Sequence, residues 1–166
     1  RSLIVKANTT QGSPYAAVMA TATHGVRMQY NFTKDIAGSA TTVSKTSPQW
    51  LRLSRSGDTL TGYESADGQN WTKLGVAKLS GLPASVPVGL LVTSPDNDVT
   101  TEEIVGTSTR GGPSLATATF DNLSLLGGQP SASWQGAQVG DNGLGDVPPF
   151  TQSGGTFTVS GSGDIG

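Results

Sequence analysis

The chain contains no cysteine, one histidine and few charged residues, and each shortage excludes a class of protein. Without cysteine among its 166 residues, it can form neither a disulfide nor a thiolate zinc site, and it has no cysteine nucleophile. Charged residues make up 13% of the sequence, the formal net charge is −2, and Lys and Arg are scattered singly. Such a chain has no field that attracts nucleic acid, so we expect no nucleic-acid partner.

Long apolar runs are also missing. No stretch approaches the roughly 20 residues that a helix needs to span a bilayer. The sequence starts at Arg1 and shows no signal peptide. We interpret it as a fragment of a larger protein that works outside the cytoplasm, at the cell surface or secreted. Any export signal or anchor would then lie outside the fragment.

Glycine, serine and threonine are abundant, with 23 Gly in the chain, and helix signals are almost absent. Low charge, many hydroxyl groups and frequent turns favour a β-rich extracellular domain. Period-two patterns between turn signals predict an all-β antiparallel β-sandwich. The predicted strands are 2–7, 15–23, 26–33, 49–54, 59–65, 71–79, 86–93, 116–125 and 156–160.

The segment 50–79 is the most informative part of this pattern. Alternating residues are interrupted at Ser56-Gly57-Asp58 and again at Asp67-Gly68, which predicts three consecutive antiparallel strands. Asp-Gly between alternating strands is a strong hairpin signal, because Gly accepts the positive φ of a primed turn. We expect Asp67 to cap backbone N–H groups in its turn. We also expect Trp50, Leu53 and Trp71 to point into the core.

Polar and glycine-rich segments separate these strands. Residues 35–48 and 95–113 are predicted loops. We expect residues 1–126 to form the sandwich body and residues 127–154, rich in Gly, Pro and Ser, to form a connector. Residues 155–166 are predicted as a terminal strand that either completes the sandwich or starts a second copy.

Five short pieces of the sequence occur in the order found in one family of β-sandwich domains: Leu3-Ile4-Val5-Lys6, Gly25-Val26-Arg27-Met28-Gln29-Tyr30, Trp50-Leu51-Arg52-Leu53, Gly62-Tyr63-Glu64-Ser65-Ala66-Asp67-Gly68, and Ala118-Thr119-Phe120-Asp121-Asn122-Leu123-Ser124-Leu125. With these pieces the chain resembles the concanavalin A-like (laminin G-like) jelly-roll domains of secreted bacterial proteins. The resemblance covers about residues 2–126 and implies a jelly-roll fold of that kind. The strand that usually opens such domains resembles 156–160, which comes last here.

The whole chain, including the tail 155–165, more narrowly resembles an extracytoplasmic segment of actinobacterial ABC transporter permeases. This resemblance implies a non-catalytic domain that binds a ligand or partner beside the membrane helices of its parent protein. It implies no ATPase, and the sequence has no phosphate-binding Gly-x-x-x-x-Gly-Lys-Ser/Thr loop. The alternative is a carbohydrate-binding, lectin-like module of a secreted hydrolase.

Candidate ligand-binding residues are those that could form a sugar-binding sheet face, where pyranose rings stack on aromatic side chains. Tyr30 and Tyr63 are the predicted aromatics of such a face, because aromatic side chains combine an apolar ring with a polar edge. Their neighbours Arg27, Gln29 and Glu64 would supply polar contacts. The ligand would be a glycan or a small molecule.

An acidic segment supplies the candidate metal ligands. Asp96, Asn97 and Asp98 carry the hard oxygen atoms that suit Ca²⁺, although their spacing is not that of an EF-hand. The alternative is a solvated acidic loop with no cofactor.

Catalytic machinery is not expected from the residues present. His24, the only histidine, precedes Gly25 at a predicted hairpin, and no Gly-x-Ser-x-Gly nucleophile elbow exists. Glu64 and Asp67 are the nearest pair of carboxylates that could hydrolyse a glycoside. We expect Asp67 to cap backbone N–H groups of its turn instead, and so we predict no enzyme activity.

Overall fold

The computed structural model describes residues 1–21, 25–31, 41–43, 49–94, 99–103, 105–127, 134–139 and 150–163. Throughout these ranges, regular structure consists of antiparallel strands, and no helix is present. The predicted all-β antiparallel sandwich is therefore confirmed. By its internal packing the chain divides into two compact units, residues 1–91 and 92–165.

The first unit contains a five-stranded and a three-stranded sheet. The order of the larger sheet is β4-β3-β2-β1-β8, and that of the smaller sheet is β5-β6-β7. The strands are β1 (Ser2–Lys6), β2 (Tyr15–Ala20), β3 (Val26–Asn31), β4 (Thr41–Val43), β5 (Trp50–Ser56), β6 (Thr59–Ser65), β7 (Thr72–Lys78) and β8 (Val88–Leu91).

The three-stranded sheet is the meander that the sequence predicts. Trp50 of β5 lies opposite Ser65 of β6, and the register continues without a break to the turn at Gly57. Between β6 and β7 the register shifts at Gly62 and Tyr63. This β-bulge adds one residue to β7 and increases the local twist.

The core of the first unit lies between these two sheets. Side chains from alternate positions of both sheets form one apolar cluster, in which Val18 and Met28 of the larger sheet join Leu60 and Leu74 of the smaller. At Gly62 the two sheets lie close together, because an added Cβ would lie 2.8 Å from Cγ2 of Val18 and 2.9 Å from Sδ of Met28. Close packing of this kind leaves no room for a larger residue there.

The second unit contains a hairpin and a three-stranded sheet. The strands of the hairpin are β9 (Val99–Glu103) and β10 (Gly106–Arg110), and the sheet comprises β11 (Ala116–Phe120), β12 (Phe150–Ser153) and β13 (Thr156–Gly161). The central strand of the sheet is β13, which pairs with both β11 and β12. Phe157 of β13 is buried, and the ring of Trp134 meets its ring edge-on at 4.8 Å between centroids.

Four strands lie where the sequence did not predict any. The segment predicted as the loop 95–113 contains the hairpin β9–β10, strand β4 lies within the predicted loop 35–48, and β12 lies within the predicted connector. These strands are short and rich in Thr, and they show little of the apolar alternation that marks a half-buried strand. The predicted tail strand is β13, which completes a sheet with β11 and β12.

Candidate functional site

The structure places three of the predicted ligand residues on two sides of β3. Arg27 and Gln29 lie on one side, where Nε2 of Gln29 donates a hydrogen bond of 2.9 Å to the hydroxyl oxygen of Tyr15. Tyr30 lies on the other side and packs against the core cluster. Because Tyr15 is buried, the contact with Gln29 satisfies a polar group within the protein.

Tyr63 and Glu64 are neighbours on β6 and therefore point to opposite faces of the three-stranded sheet. Glu64 is 1% exposed and lies on the same face as the core residue Leu60. Tyr63 is half-buried on the opposite face. The five predicted ligand residues thus do not share one surface.

The predicted metal ligands Asp96, Asn97 and Asp98 lie outside the described residues, as does His24. Over the ranges that the structure describes, no three His, Cys, Asp or Glu side chains are grouped to hold a metal ion. The carboxylates of Glu64 and Asp67 are not brought together, because Glu64 is buried towards the core and Asp67 is exposed in its turn.

The face of the three-stranded sheet that points away from the core carries aromatic and basic side chains together. We call Trp50, Arg52, Tyr63, Trp71 and Lys73 the outer face. Arg52 of β5 pairs with Tyr63 of β6, which in turn pairs with Lys73 of β7. Trp50 lies two residues from Arg52 on the same side, and Trp71 immediately precedes β7. Three aromatic rings and two cations therefore share one surface.

The prediction that Trp50 points into the core is wrong, since Trp50 is 40% exposed. Leu51 and Leu53 are the residues of β5 that pack against the core, as expected for Leu53. Because a strand alternates, Trp50 and Arg52 must then share the opposite face. Trp71 does not belong to the core cluster either, and it is half-buried.

Arg52 connects the aromatic rings of the outer face. Its guanidinium carbon lies 3.7 Å from the centroid of the Trp71 ring and 6.0 Å from that of Tyr63. A guanidinium over the face of an aromatic ring is attracted by the negative potential of the π-system. This contact holds the guanidinium against the Trp71 ring while the Arg52 side chain remains exposed at the surface.

The turn after β6 is fixed by its own side chains. Oδ1 of Asp67 accepts hydrogen bonds from Ser65 Oγ (2.9 Å) and from the backbone N–H groups of Gln69 (2.8 Å) and Asn70 (2.7 Å). Oδ2 accepts one from Nδ2 of Asn70 at 2.7 Å. These four hydrogen bonds hold the pKa of Asp67 far below its usual range, and the bond from the Asn70 backbone has the largest effect. The predicted capping role of Asp67 is confirmed.

This turn also positions Trp50. Gly68 has a φ of 75°, and an added Cβ would lie 2.9 Å from Cδ2 and Cε2 of Trp50. The indole therefore packs directly on the backbone of Gly68. A ring that rests on a rigid turn loses little further freedom when it binds a ligand.

Comparison of the chain with protein-family models, curated proteins and solved structures finds no match in any of the three. The described ranges also contain no helix that is both long and apolar enough to cross a bilayer.

Sequence reasoning found Tyr63 but missed Arg52, Lys73 and the outward position of Trp50. Two leucines at positions 51 and 53 were the available signal, because they assign the intervening Arg52 to the solvent face. No local pattern reveals the contact between Arg52 and Trp71, which depends on the pairing of β5, β6 and β7.

Proposed function

We propose that this chain is a non-catalytic carbohydrate-binding domain that works outside the cytoplasm, with a jelly-roll sandwich of the concanavalin A-like kind. The observation that carries the proposal is the outer face, on which Trp50, Tyr63 and Trp71 lie beside Arg52 and Lys73. Aromatic rings present an apolar surface to the C–H face of a pyranose ring, and polar groups beside them bind its hydroxyls.

The exposed indole of Trp50 supports this function. A large aromatic side chain at the surface leaves apolar area in water that a ligand can cover. Trp50 is held on the Gly68 turn, and Trp71 is held by Arg52. Both rings are thus ordered before a ligand arrives, which reduces the entropy lost on binding.

Two kinds of parent protein are compatible with a sugar-binding domain. The resemblance to actinobacterial ABC transporter permeases favours an extracytoplasmic segment that captures a ligand beside membrane helices. A module attached to a secreted hydrolase is the alternative. Reading the parent gene tests this part of the proposal, because membrane helices that flank the segment support the permease, whereas an adjoining hydrolase domain contradicts it.

Affinity electrophoresis through gels that contain soluble polysaccharides tests sugar binding. We expect at least one polysaccharide to retard the chain and Trp50→Ala to weaken that retardation about tenfold, which corresponds to ~1.4 kcal/mol. Trp134→Ala is the matched control, since Trp134 is 43% exposed but belongs to the second unit.

The control variant should bind as the unaltered chain does. Equal losses in Trp50→Ala and Trp134→Ala would refute a role for the outer face. No retardation by any polysaccharide, in a panel that includes neutral and acidic polymers, would refute the proposed function as a whole.

A further inference from the structure

The outer face has a charge opposite to that of the chain. Arg52, Lys73 and Lys78 occupy outward positions of β5 and β7 and are exposed, whereas the chain as a whole has a net charge of −2. The one carboxylate in the sequences of β5, β6 and β7 is that of Glu64, which is buried on the opposite face. This side of the sheet therefore presents three positive charges, the two of the outer face and that of Lys78, with no negative residue among them.

The carboxylates of the adjoining turns are occupied by local hydrogen bonds. Both oxygen atoms of Asp67 accept bonds within its own turn. Oδ2 of Asp58 accepts a hydrogen bond of 3.0 Å from the backbone N–H of Gly81. Within the part of the chain that the structure describes, neither carboxylate forms an ion pair with Arg52 or with the two lysines.

Two arginines of β5 show how differently a guanidinium can be used. Arg55 donates hydrogen bonds to the carbonyl oxygens of Gly57, Leu82, Pro83 and Ala84 at 2.6–3.3 Å, so that its N–H groups are occupied by the protein. Arg52 contacts aromatic rings and makes no hydrogen bond to any other described residue.

A guanidinium carries five N–H donors in a planar fork that matches a carboxylate or sulfate group. The guanidinium of Arg52 is held against the Trp71 ring, and because the side chain is exposed its N–H groups remain accessible. An anionic group on a sugar that stacks on the neighbouring Trp50 would meet these N–H groups. Lys73 and Lys78 would attract further anionic groups along a polymer.

We propose that the ligand of the outer face is an acidic polysaccharide, in which a sugar ring stacks on Trp50 and its carboxylate or sulfate group pairs with the Arg52 guanidinium. This inference rests on the proposed function and specifies the ligand class. The two anionic groups share the same recognition chemistry, and the choice of polymers in the test distinguishes them.

Isothermal titration with polygalacturonate and with its fully methyl-esterified form tests the inference, because the two polymers share one backbone and differ only at the carboxyl group, which is anionic in one and a neutral ester in the other. We expect the acid form to bind at least tenfold more tightly, and its affinity to fall as NaCl rises from about 50 to 500 mM. Dextran sulfate and neutral dextran form the second pair. A larger preference in that pair would assign the anion as sulfate and would support the inference equally.

Matched variants assign the charge effect to one residue. Arg52→Ala should lose about tenfold in affinity for the acid form and little for the ester, and Arg52→Lys should recover only part of that loss. Arg110→Ala changes the net charge equally but lies on β10 of the second unit, and it should bind within twofold of the unaltered chain.

Three results would overturn the inference. Equal affinity within both pairs, the acid and ester forms as well as dextran sulfate and dextran, would leave the proposed function standing but remove the anionic ligand. Equal binding of polyphosphate and the acidic polysaccharides would show that charge alone, without the sugar ring, is recognised. Equal losses in Arg52→Ala and Arg110→Ala would remove the outer face from anion binding.

Discussion

Replacement of Gly68 by Ala should destabilise the first unit through two separable effects. The first is the backbone, since Gly68 has a φ of 75°, and a residue with a Cβ pays about 1–2 kcal/mol in the left-handed region. The second is the contact with Trp50, whose ring atoms Cδ2 and Cε2 would lie 2.9 Å from the new Cβ. Because the exposed indole can shift, we assign about 1 kcal/mol to this contact, the low end of the range for overpacking.

Gly57→Ala separates the two effects. Gly57 has a φ of 61°, and nothing lies within 4 Å of an added Cβ, so this variant should show the backbone cost alone. Gly68→Ala should therefore melt about 2–4 °C below Gly57→Ala, as expected for ~1 kcal/mol in a chain of this length. In a Trp50→Ala background the difference between the two glycine variants should vanish.

Thermal unfolding followed by tryptophan fluorescence measures these differences. The chain has three tryptophans, and a Trp134→Phe background leaves Trp50 and Trp71 to report on the first unit. Equal melting temperatures for Gly57→Ala and Gly68→Ala would refute the packing of Trp50 on the turn. A difference in melting temperature between the two glycine variants that persists in the Trp50→Ala background would also refute this contact.

Three further perturbations test other parts of the structure. Asp67→Asn should reduce the acid sensitivity of folding, because the pKa of Asp67 is lowered in the folded chain. The stability that this carboxylate contributes is complete above its unfolded pKa of about 3.9 and is lost as the pH falls below that value. Equal losses of melting temperature in the two proteins between pH 7 and pH 2.5 would contradict this. Leu60→Ala, at a fully buried position, should lower the free energy of unfolding in urea by about 2–5 kcal/mol. Val76→Ala, at an exposed position, should lower it by less than about 0.5 kcal/mol. Similar losses in the two variants would contradict the assigned core face. Arg55→Ala should lower the free energy of unfolding by about 1–2 kcal/mol through the lost hydrogen bonds, and Arg52→Ala by about 0.5 kcal/mol. A larger loss for Arg52→Ala than for Arg55→Ala in chemical denaturation would contradict the roles assigned to the two arginines.

The meander of β5, β6 and β7 could be predicted because its information is local. Asp67-Gly68 and Gly57 specify the turns, and antiparallel strands joined by short turns pair with their neighbours in sequence. Polar neighbours alternating with Trp50 predict an inward indole, but Leu51 and Leu53 occupy the inward positions of β5 and place Trp50 on the opposite face. On a two-layer sandwich the strand period decides the face, and a large aromatic residue can occupy the exposed one.

The parts that escaped prediction depend on pairing between distant segments. Strand β13 lies between β11 and β12, and its pairing with β11 joins residues about 40 positions apart in the sequence. No local pattern encodes that pairing. The bulge opposite Gly62 and Tyr63 likewise sets which residue of β7 lies beside Tyr63 on the outer face. The candidate site is assembled from this register, so only one of its aromatics, Tyr63, was named from the sequence.

Hydroxyl-radical footprinting with and without an acidic polysaccharide tests the central claim most directly, because it reads the outer face residue by residue. We expect polygalacturonate or dextran sulfate to protect Trp50 and Trp71 from oxidation several-fold, while Trp134, which is similarly exposed in the second unit, reacts at an unchanged rate. Unchanged oxidation of Trp50 and Trp71 under conditions where the polysaccharide binds would contradict the claim, because the ligand would then occupy another surface.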